Sequence, residues 1–304
     1  MTGHPERLAI VGLGLIGGSI ARAVAARRAM DPDAAPSRVV AWSPSGAGPA
    51  RAADEGVIDR AALDLEETLD GADLVVLAAP PLETIGLIER LGDGRARLAN
   101  RAVVTDVTST KARVAEAAGR ARLRFVAGHP MGGRESTGYE ASSADLFADR
   151  PWVIVPPEPP DPEAVAAVEW LAASCGARAI SMSAEDHDAV AAAISHLPLV
   201  ASAALVEAVA LDRAGGERPD WSLARELAAG GWASMTRLAR GDPRMGAGIA
   251  ATNSRELAHA LHRYRAVLDE WIAALDGPGE PDAAALERRL RAARDIVAGE
   301  DGSA

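Results

Sequence analysis

The sequence contains one cysteine and one lysine. The scarcity of cysteine limits which covalent cross-links and metal sites the protein can form. The single cysteine, Cys175, excludes an internal disulfide and any metal site built from several cysteines. Because Cys175 falls in a helical pattern, we expect a buried structural thiol and no bound metal. The only lysine is Lys111, in a chain whose 32 basic residues are otherwise arginine.

Long apolar runs and an excess of positive charge are also missing. An aspartate or arginine interrupts each apolar stretch, so we expect none to cross a membrane. The first residues lack the basic and apolar regions of a secretory signal. The net charge of -11 argues against nucleic acid as the main partner. We therefore expect a cytoplasmic protein that binds neither membrane nor nucleic acid.

The sequence does contain a regular alternation of strand and helix patterns up to Ser183. Apolar strands that alternate with helices predict a doubly wound, parallel sheet of the Rossmann type, in the α/β class. Beyond Ser183 the strand patterns stop, and helical spacing continues to the end of the 304 residues. The sequence thus predicts a dinucleotide-binding sheet domain over residues 1–183 and an all-helical domain over residues 184–304.

The most informative local motif is the glycine turn Gly12-Leu13-Gly14-Leu15-Ile16-Gly17. It follows a predicted strand, Arg7 to Val11, and opens a predicted helix, which is the context that a dinucleotide-binding G-x-G-x-x-G motif requires. Its glycines let the backbone approach a pyrophosphate, and the helix N-terminus presents unpaired N–H groups to it. A purely structural turn is the alternative interpretation.

The second predicted strand, Arg38 to Trp42, bears on which dinucleotide binds. An NAD site usually has Asp or Glu at the end of this strand, where it holds the ribose hydroxyls. Here the chain continues as Ser43-Pro44-Ser45, without an acid, and Arg51 is a candidate partner for a 2′-phosphate. Both NAD and NADP are therefore compatible with the sequence.

Two further loops are predicted at the same edge of the sheet, because each follows a predicted strand. The first, Asp106 to Lys111, contains Ser109, which either caps the next helix or takes part in chemistry. The second, Gly128 to Glu135, follows a strand that we expect to end at Ala127, so that His129 begins a glycine-rich loop. Ligands bind at this edge in open α/β sheets. An incidental turn histidine is the alternative.

The helical half has fewer polar candidates. His196 precedes Pro198, where a kink can present a polar side chain, and a histidine packed at a domain interface is the alternative. His187 lies nine residues earlier, and about 100° per residue puts it on the opposite helix face, so we expect no metal pair. Arg237 follows a loop at Gly230 and either binds a carboxylate or forms a surface ion pair.

Together these motifs resemble the prephenate/arogenate dehydrogenase family of tyrosine biosynthesis. The similarity runs in order along nearly the whole chain, through motifs at residues 12–19, 106–111, 128–138, 195–198 and 236–243. The resemblance implies a dinucleotide-binding domain followed by a helical domain through which two subunits dimerise. It also implies oxidative decarboxylation of the cyclohexadienyl compound prephenate to 4-hydroxyphenylpyruvate, with NAD or NADP as cofactor.

The resemblance further implies a role for each site residue. His129 would accept the proton of the substrate's C4 hydroxyl while hydride passes from C4 to the nicotinamide. Ser109 would orient the histidine and the substrate. The implied substrate contacts are His196, Arg237, Glu135, Lys111 and Gly230. The implied cofactor contacts are Gly12, Gly14, Leu15, Ile16, Gly17, Ser43, Ala79 and Thr108.

Three alternatives stay open. Leu199 stands where the family often has a second histidine, which leaves arogenate as an alternative substrate. A β-hydroxyacid-type dehydrogenase would share the two-domain plan but use a lysine in the helical half, and no lysine follows Lys111. A non-catalytic dinucleotide-binding regulator is the third alternative, against which His129 and Ser109 argue.

Overall fold

The computed structural model describes residues 4–94, 96–134, 136–211 and 220–300, so that Glu135, an expected substrate contact, lies outside the described residues. In the described residues, eight strands form one sheet. The strands are β1 (Arg7–Val11), β2 (Arg38–Trp42), β3 (Arg60–Ala61), β4 (Leu74–Leu77), β5 (Val103–Asp106), β6 (Phe125–Pro130), β7 (Pro151–Val155) and β8 (Arg178–Ser181).

The strand order places a crevice beside the glycine turn. Across the sheet the order is β3-β2-β1-β4-β5-β6-β7-β8, and β1 pairs in parallel with both β2 and β4. The chain therefore moves outward in one direction from β1 and then in the other direction from β4. Such a reversal opens a crevice at the carboxyl ends of the two strands, where α/β proteins bind ligands.

The sheet is mixed, which corrects the expectation of a wholly parallel one. Strand β7 runs antiparallel to β6, with His129 opposite Val153 and Pro130 opposite Trp152. The chain between β6 and β7 turns back on itself without a crossover helix, and a chain that returns in this way produces antiparallel pairing. As a consequence, β6 continues to Pro130, three residues beyond the predicted end at Ala127. His129 is therefore held by a strand.

Helices cover both faces of the sheet and form most of the remaining chain. They are α1 (Leu15–Met30), α2 (Ala47–Asp54), α3 (Leu65–Leu69), α4 (Pro81–Gly92), α5 (Ala112–Arg120), α6 (Pro162–Ser174), α7 (Ala184–Ala191), α8 (Leu197–Ala210), α9 (Trp221–Leu227), α10 (Gly230–Met235), α11 (Pro243–Thr252), α12 (Ser254–Leu275) and α13 (Ala283–Glu300).

A π-helical turn, Ala192–His196, separates α7 from α8. The helical spacing predicted beyond Ser183 is therefore interrupted just before Pro198. Proline has no backbone N–H and cannot donate to the carbonyl four residues earlier. The α-helical hydrogen-bond pattern therefore changes near Pro198. A π turn contains one residue more than an α turn and alters which side chains share a helix face.

The hydrophobic core lies on both faces of the sheet. Alternate residues of β1 supply both sides, with Leu8 and Ile10 in one apolar cluster and Ala9 and Val11 in the other. Burial on both faces is what apolar parallel strands predict. Cys175 is buried in the first cluster, as expected, and burial raises the pKa of its thiol to about 12.

The chain divides into two compact units, Met1–Leu257 and Ala258–Ala304. The first contains the sheet and the helices as far as α11. In the second, Arg289 stacks over the ring of Trp271 at 4.4 Å and pairs with Glu270 at 3.0 Å, which joins α12 to α13.

One helical stretch, Ala184–Ala210, is long and apolar enough to cross a membrane, contrary to the expectation that none exists. Length and composition alone are weak support for a span, because a core helix of a soluble protein meets the same criteria. This stretch also carries His187, Asp188 and His196, which are buried and polar. Their hydrogen bonds to the sheet region indicate a helix of a folded globular domain.

Candidate active site

The glycine turn is pressed against the end of β4. Gly12 has a φ of +98°, and a Cβ on it would lie 2.3 Å from the carbonyl oxygen of Ala78. A Cβ on Gly17 would lie 2.0 Å from the carbonyl oxygen of Gly12. Neither position accepts a larger residue without moving backbone. Helix α1 begins after Gly14 with no side-chain cap, so its N-terminus is available to a phosphate.

Two adjoining cavities form the cleft at this edge. The larger, of about 680 Å³, extends from Gly12 to the end of β2 at Trp42. The smaller, of about 400 Å³, extends to Ser109 and His129. Residues that line both are Gly14, Ala78, Ala79, Pro80, Gly138 and Asp242. A cleft that crosses from β2 over the glycine turn toward β5 and β6 matches the way dinucleotides lie across such a sheet.

Most of the expected cofactor residues line this cleft. Those on the larger cavity are Gly12, Gly14, Ser43 and Ala79, and those on the smaller are Gly14, Leu15, Ile16, Ala79 and Thr108. Gly17 lines neither, because it lies packed beneath the turn. Arg51 is also absent from the lining, and its guanidinium pairs with Glu55 at 2.9 Å. No acid follows β2 at the cavity wall, where Ser43 and Ser45 take its place.

Ser109 and His129 both line the smaller cavity. His129 is 9% exposed, and its Nδ1 lies 2.8 Å from Nε2 of His187. The other ring nitrogen, Nε2, is therefore the one left for a ligand. Burial places the pKa of His129 well below its usual value, and the charges of Lys111, His187 and His196 lower this pKa further. His129 is thus neutral near pH 7, as a general base must be.

Lys111 does not occupy the position that the sequence suggested. Its side chain is fully buried, and its ammonium donates to the Asp106 carboxylate and, at 2.5 Å, to the carbonyl oxygen of Gly128. Asp106 also accepts from the backbone N–H of Gly128 at 3.1 Å. This ion pair joins the ends of β5 and β6 beneath the cavity. The expected contact between Lys111 and a substrate is not supported by this geometry.

His196 is buried beside the site and lines neither cavity. Its Nδ1 lies 3.2 Å from the amide nitrogen of Asn253, which can only donate, so Nδ1 accepts and Nε2 carries the hydrogen. Among the described residues, no hydrogen-bond partner is found for this buried Nε2. Burial lowers the pKa of His196 to about 4, which keeps the ring neutral.

Arg237 and Gly230 lie away from the two cavities. Both are exposed in this structure, and neither belongs to the lining of the cleft. Their expected role in substrate binding, like that of Glu135, stays a prediction. The helical region instead contributes Asp242 and Met245 to the smaller cavity. Asp242 caps α11 by accepting from the N–H of Arg244 at 2.8 Å, and this Asp-Pro helix start was a usable sequence signal.

No role for His187 or Asp188 follows from the sequence, yet both are buried behind His129. Helical periodicity placed His187 and His196 on opposite faces, but the intervening π turn changes that relation. Asn253 donates to the carbonyl oxygen of Asp188 at 2.8 Å and also contacts His196. The same buried network therefore includes His129, His187, Asp188, Asn253 and His196.

Two family models together match most of the chain. The family model described as "Prephenate dehydrogenase, nucleotide-binding domain" matches residues 35–181, and that described as "Prephenate dehydrogenase, dimerization domain" matches residues 183–291. A prephenate dehydrogenase of Bacillus subtilis (strain 168) is 31% identical over 95% of this chain and 75% of the relative. A cyclohexadienyl dehydrogenase of Zymomonas mobilis is 31% identical over 90% of each chain.

A solved structure supports the same relationship. The crystal structure of Synechocystis arogenate dehydrogenase superposes with a TM-score of 0.74 at 31% identity, and covers 96% of this chain and 99% of that one. The glycine turn and the cleft described above suit a nicotinamide dinucleotide, and the first family model is described as a nucleotide-binding domain. The chain therefore belongs to the prephenate dehydrogenase family and is an oxidoreductase that binds NAD(P).

Proposed function

We propose that this protein catalyses the oxidative decarboxylation of prephenate to 4-hydroxyphenylpyruvate in tyrosine biosynthesis. The observation that supports this most directly is the position of His129. It is a neutral histidine in a cavity of about 400 Å³ that adjoins the dinucleotide cleft. The family of the chain then indicates which reaction such a histidine serves.

His129 acts in this proposal as the general base. Bound in the cleft, NAD(P) supplies the acceptor for a hydride from the substrate's C4. His129 Nε2 takes the proton of the C4 hydroxyl, and the ring carboxylate leaves as CO2 while the ring becomes aromatic. The oxygen that was the hydroxyl then recovers the proton from His129, so no net proton is released by the chain. A positioned base of this kind contributes about 10²–10⁴-fold to rate.

Ser109 orients the reacting groups. It lines the same cavity as His129, in the loop that precedes α5, and a hydroxyl can both donate to and accept from a substrate oxygen. For the substrate's carboxylates, Arg237 is the proposed partner, since a guanidinium binds carboxylates through two parallel hydrogen bonds. His196, Gly230 and Glu135 complete the proposed substrate site.

Arogenate is the second candidate substrate. The similarity to the Synechocystis arogenate dehydrogenase, at 31% identity, supports it, and Leu199 in place of a second histidine leaves the choice between the two substrates open. A non-catalytic regulator is disfavoured, because the cavity retains both Ser109 and His129.

We further propose a cytoplasmic homodimer formed through the helical domain, with the functional boundary near residue 183. The two family models meet there, and the second is described as a dimerization domain. The single buried thiol requires no oxidising compartment.

Steady-state kinetics with NAD or NADP and prephenate or arogenate test this proposal in four combinations. Reduced cofactor should form with prephenate at a kcat/KM at least about tenfold above that with arogenate, a difference of about 1.4 kcal/mol in transition-state binding. The reverse ratio would identify an arogenate dehydrogenase. Tight dinucleotide binding without turnover of either substrate would favour the regulator.

Replacing the base tests the role of His129 by itself. His129→Asn should lower kcat by about 10³-fold or more, since no group then accepts the C4 hydroxyl proton. Dinucleotide affinity, measured by fluorescence titration of the reduced cofactor, should change little. A variant that kept most of its kcat would show that another group is the base.

A further inference from the structure

A line of buried side chains extends from His129 away from the cavity. His129 Nδ1 lies 2.8 Å from His187 Nε2, and His187 Nδ1 lies 2.8 Å from Oδ1 of Asp188. The two imidazole rings meet edge to face, at 71°. His187 and Asp188 are 3% and 2% exposed, so water does not compete for these contacts. The line joins a strand of the sheet to helix α7.

Asp188 is fixed by backbone groups at the start of α5. Its Oδ1 accepts from the N–H of Lys111 at 2.7 Å, and its Oδ2 accepts from the N–H of Ala112 at 2.9 Å. The N-terminus of α5 is a favourable place for a negative charge because its N–H groups and its helix dipole both attract an anion. With both oxygens engaged as acceptors, the carboxylate accepts from His187 as well.

This arrangement determines where the hydrogens lie on both rings. A neutral imidazole has one N–H and one bare nitrogen. If His187 donates to Asp188 through Nδ1, its Nε2 is bare and must accept from Nδ1–H of His129. His129 Nε2 is then bare and available to the cavity, which is the form that can receive a proton.

We infer that His187 and Asp188 are positioning residues that hold His129 in the tautomer with an unprotonated Nε2. The inference rests on the proposed function only for the catalytic use of that nitrogen. The hydrogen-bond line itself is independent of the substrate. If the two hydrogen bonds ran in the opposite direction, His129 would carry its hydrogen on Nε2 and could not accept a proton there.

The same line supports the charge that His129 carries during turnover. When the substrate O–H bond breaks, a new N–H bond forms at Nε2 and His129 becomes an imidazolium. Lys111 and His196, the other basic groups near the ring, disfavour this positive charge. The Asp188 carboxylate, acting through His187, is the anion in line with it. The proton stays on His129 until it returns to the product oxygen.

The tautomers can be observed directly in the full-length wild-type protein. Long-range ¹H–¹⁵N spectra of ¹⁵N-histidine-labelled protein, assigned with His129→Asn and His187→Gln, should show hydrogen on Nδ1 of both His129 and His187. Hydrogen on Nε2 of His129 would overturn the inference, whatever the substrate proves to be. This measurement needs no turnover.

Asp188→Asn tests the direction of the line. The new amide can donate to His187, which would reverse both hydrogen bonds and leave His129 protonated at Nε2. We expect kcat to fall by about 10²–10⁴-fold, the range for losing a correctly protonated base, with dinucleotide affinity retained. The matched control is Asp186→Asn, which removes the same charge from an exposed position in the same helix and should keep wild-type kcat. Wild-type kcat with an unchanged His129 tautomer in Asp188→Asn would overturn the inference.

His187 provides a second test if Asp188→Asn does not fold. His187→Gln keeps a carbonyl oxygen that can accept from His129 Nδ1, whereas His187→Leu keeps no acceptor. Glutamine should therefore retain at least tenfold more kcat than leucine, and equal values would contradict the inference. If His129→Asn stays active, the base proposal fails while the spectra still decide the tautomer. If His129→Asn is inactive and the Asp188 and His187 variants are normal, only the positioning inference fails.

Discussion

The sheet region and the helices that follow it differ sharply in how they bury their apolar side chains. Both faces of the sheet are covered, and β4, β5 and β6 consist entirely of buried residues. In α8, a helix rich in leucine, valine and alanine, Ser202 is the only buried residue, and α9 and α10 contain none. The strands of the sheet therefore bury their apolar side chains within one chain, whereas α8, α9 and α10 leave most of theirs partly or fully exposed.

This difference indicates where a second subunit belongs. Apolar surface exposed over several helices is typical of an interface between subunits. The second compact unit repeats the pattern, since Ile272 on α12 and Ile296 on α13 are 59% and 68% exposed. The sheet region supplies the cofactor cleft and the base, and the helices supply both the buried polar network behind the base and the surface for self-association.

The largest expected effect is the loss of the buried ion pair that closes the sheet edge. Lys111→Met should lower the free energy of unfolding by about 3–5 kcal/mol, because Asp106 would remain buried without its cation. Arg120→Met is the control, since it breaks an exposed pair with Glu116 and should cost less than about 1 kcal/mol. Urea denaturation measures both. Equal costs would show that the sheet edge does not depend on this pair.

The next effect tests the apolar surface of the helices. Ile272→Arg should weaken dimerisation by about a hundredfold, because a charge would replace an apolar side chain on the proposed interface. Met30→Arg is the matched control in the sheet region, where the residue replaced is 82% exposed and isolated. Sedimentation velocity over a concentration series measures the dissociation constants. If both variants dimerise like the wild type, the interface lies elsewhere.

A smaller effect comes from the two neutral histidines, one from each region. The folded state lowers the pKa of His129 and of His196, the latter to about 4, whereas the unfolded chain takes up protons near 6.5. Their contribution to stability is complete above pH 6.5 and is lost as the pH falls from 6.5 toward the folded-state values.

His196 should therefore cost about 1.5 kcal/mol of unfolding free energy between pH 6.5 and 5.0, because the slope approaches about 1.4 kcal/mol per pH unit below 6.5. His196→Gln should flatten the dependence of stability on pH by that amount, and His129→Gln should flatten it in the same direction. Urea unfolding at the two pH values measures it. A dependence that neither substitution changes would mean that other groups take up the protons.

The smallest effect concerns the open end of the cleft at β2. Ser43→Asp should raise the preference for NAD over NADP by about tenfold or more, because a carboxylate holds the ribose hydroxyls and repels a 2′-phosphate. The ratio of kcat/KM for the two cofactors measures it. Ser37→Asp, at an exposed site before β2, is the control and should leave the ratio unchanged. An unchanged ratio in Ser43→Asp would place the ribose elsewhere.

Much of the site could be predicted from the sequence because its motifs are local. The glycine turn from Gly12 to Gly17 is a turn between a strand and a helix that are adjacent in the chain, and steric limits alone require its glycines. Ser109 follows one apolar strand and His129 lies near the carboxyl end of the next, and parallel strands end at a common edge. Residue type and spacing were therefore enough to bring the glycine turn, Ser109 and His129 to one cleft.

Other features depended on contacts between residues far apart in the chain. The direction of β7 decides that His129 is held in a strand, and β7 pairs with β6 only after an intervening loop. The single lysine suggested a ligand contact, but burial against Asp106 turns the ammonium into a structural cation.

The sequence alone determined the class of the fold and the chemical groups of the cleft, since strand and helix periodicity and glycine geometry are local properties. The tertiary structure alone decided which nitrogen of His129 faces the cavity. That choice depends on the contact of His129 Nδ1 with His187 and on the capping of α5 by Asp188, which lies 76 residues after Ala112 in the chain. Hydrogen positions on an imidazole follow from its partners in space, and no local pattern encodes them.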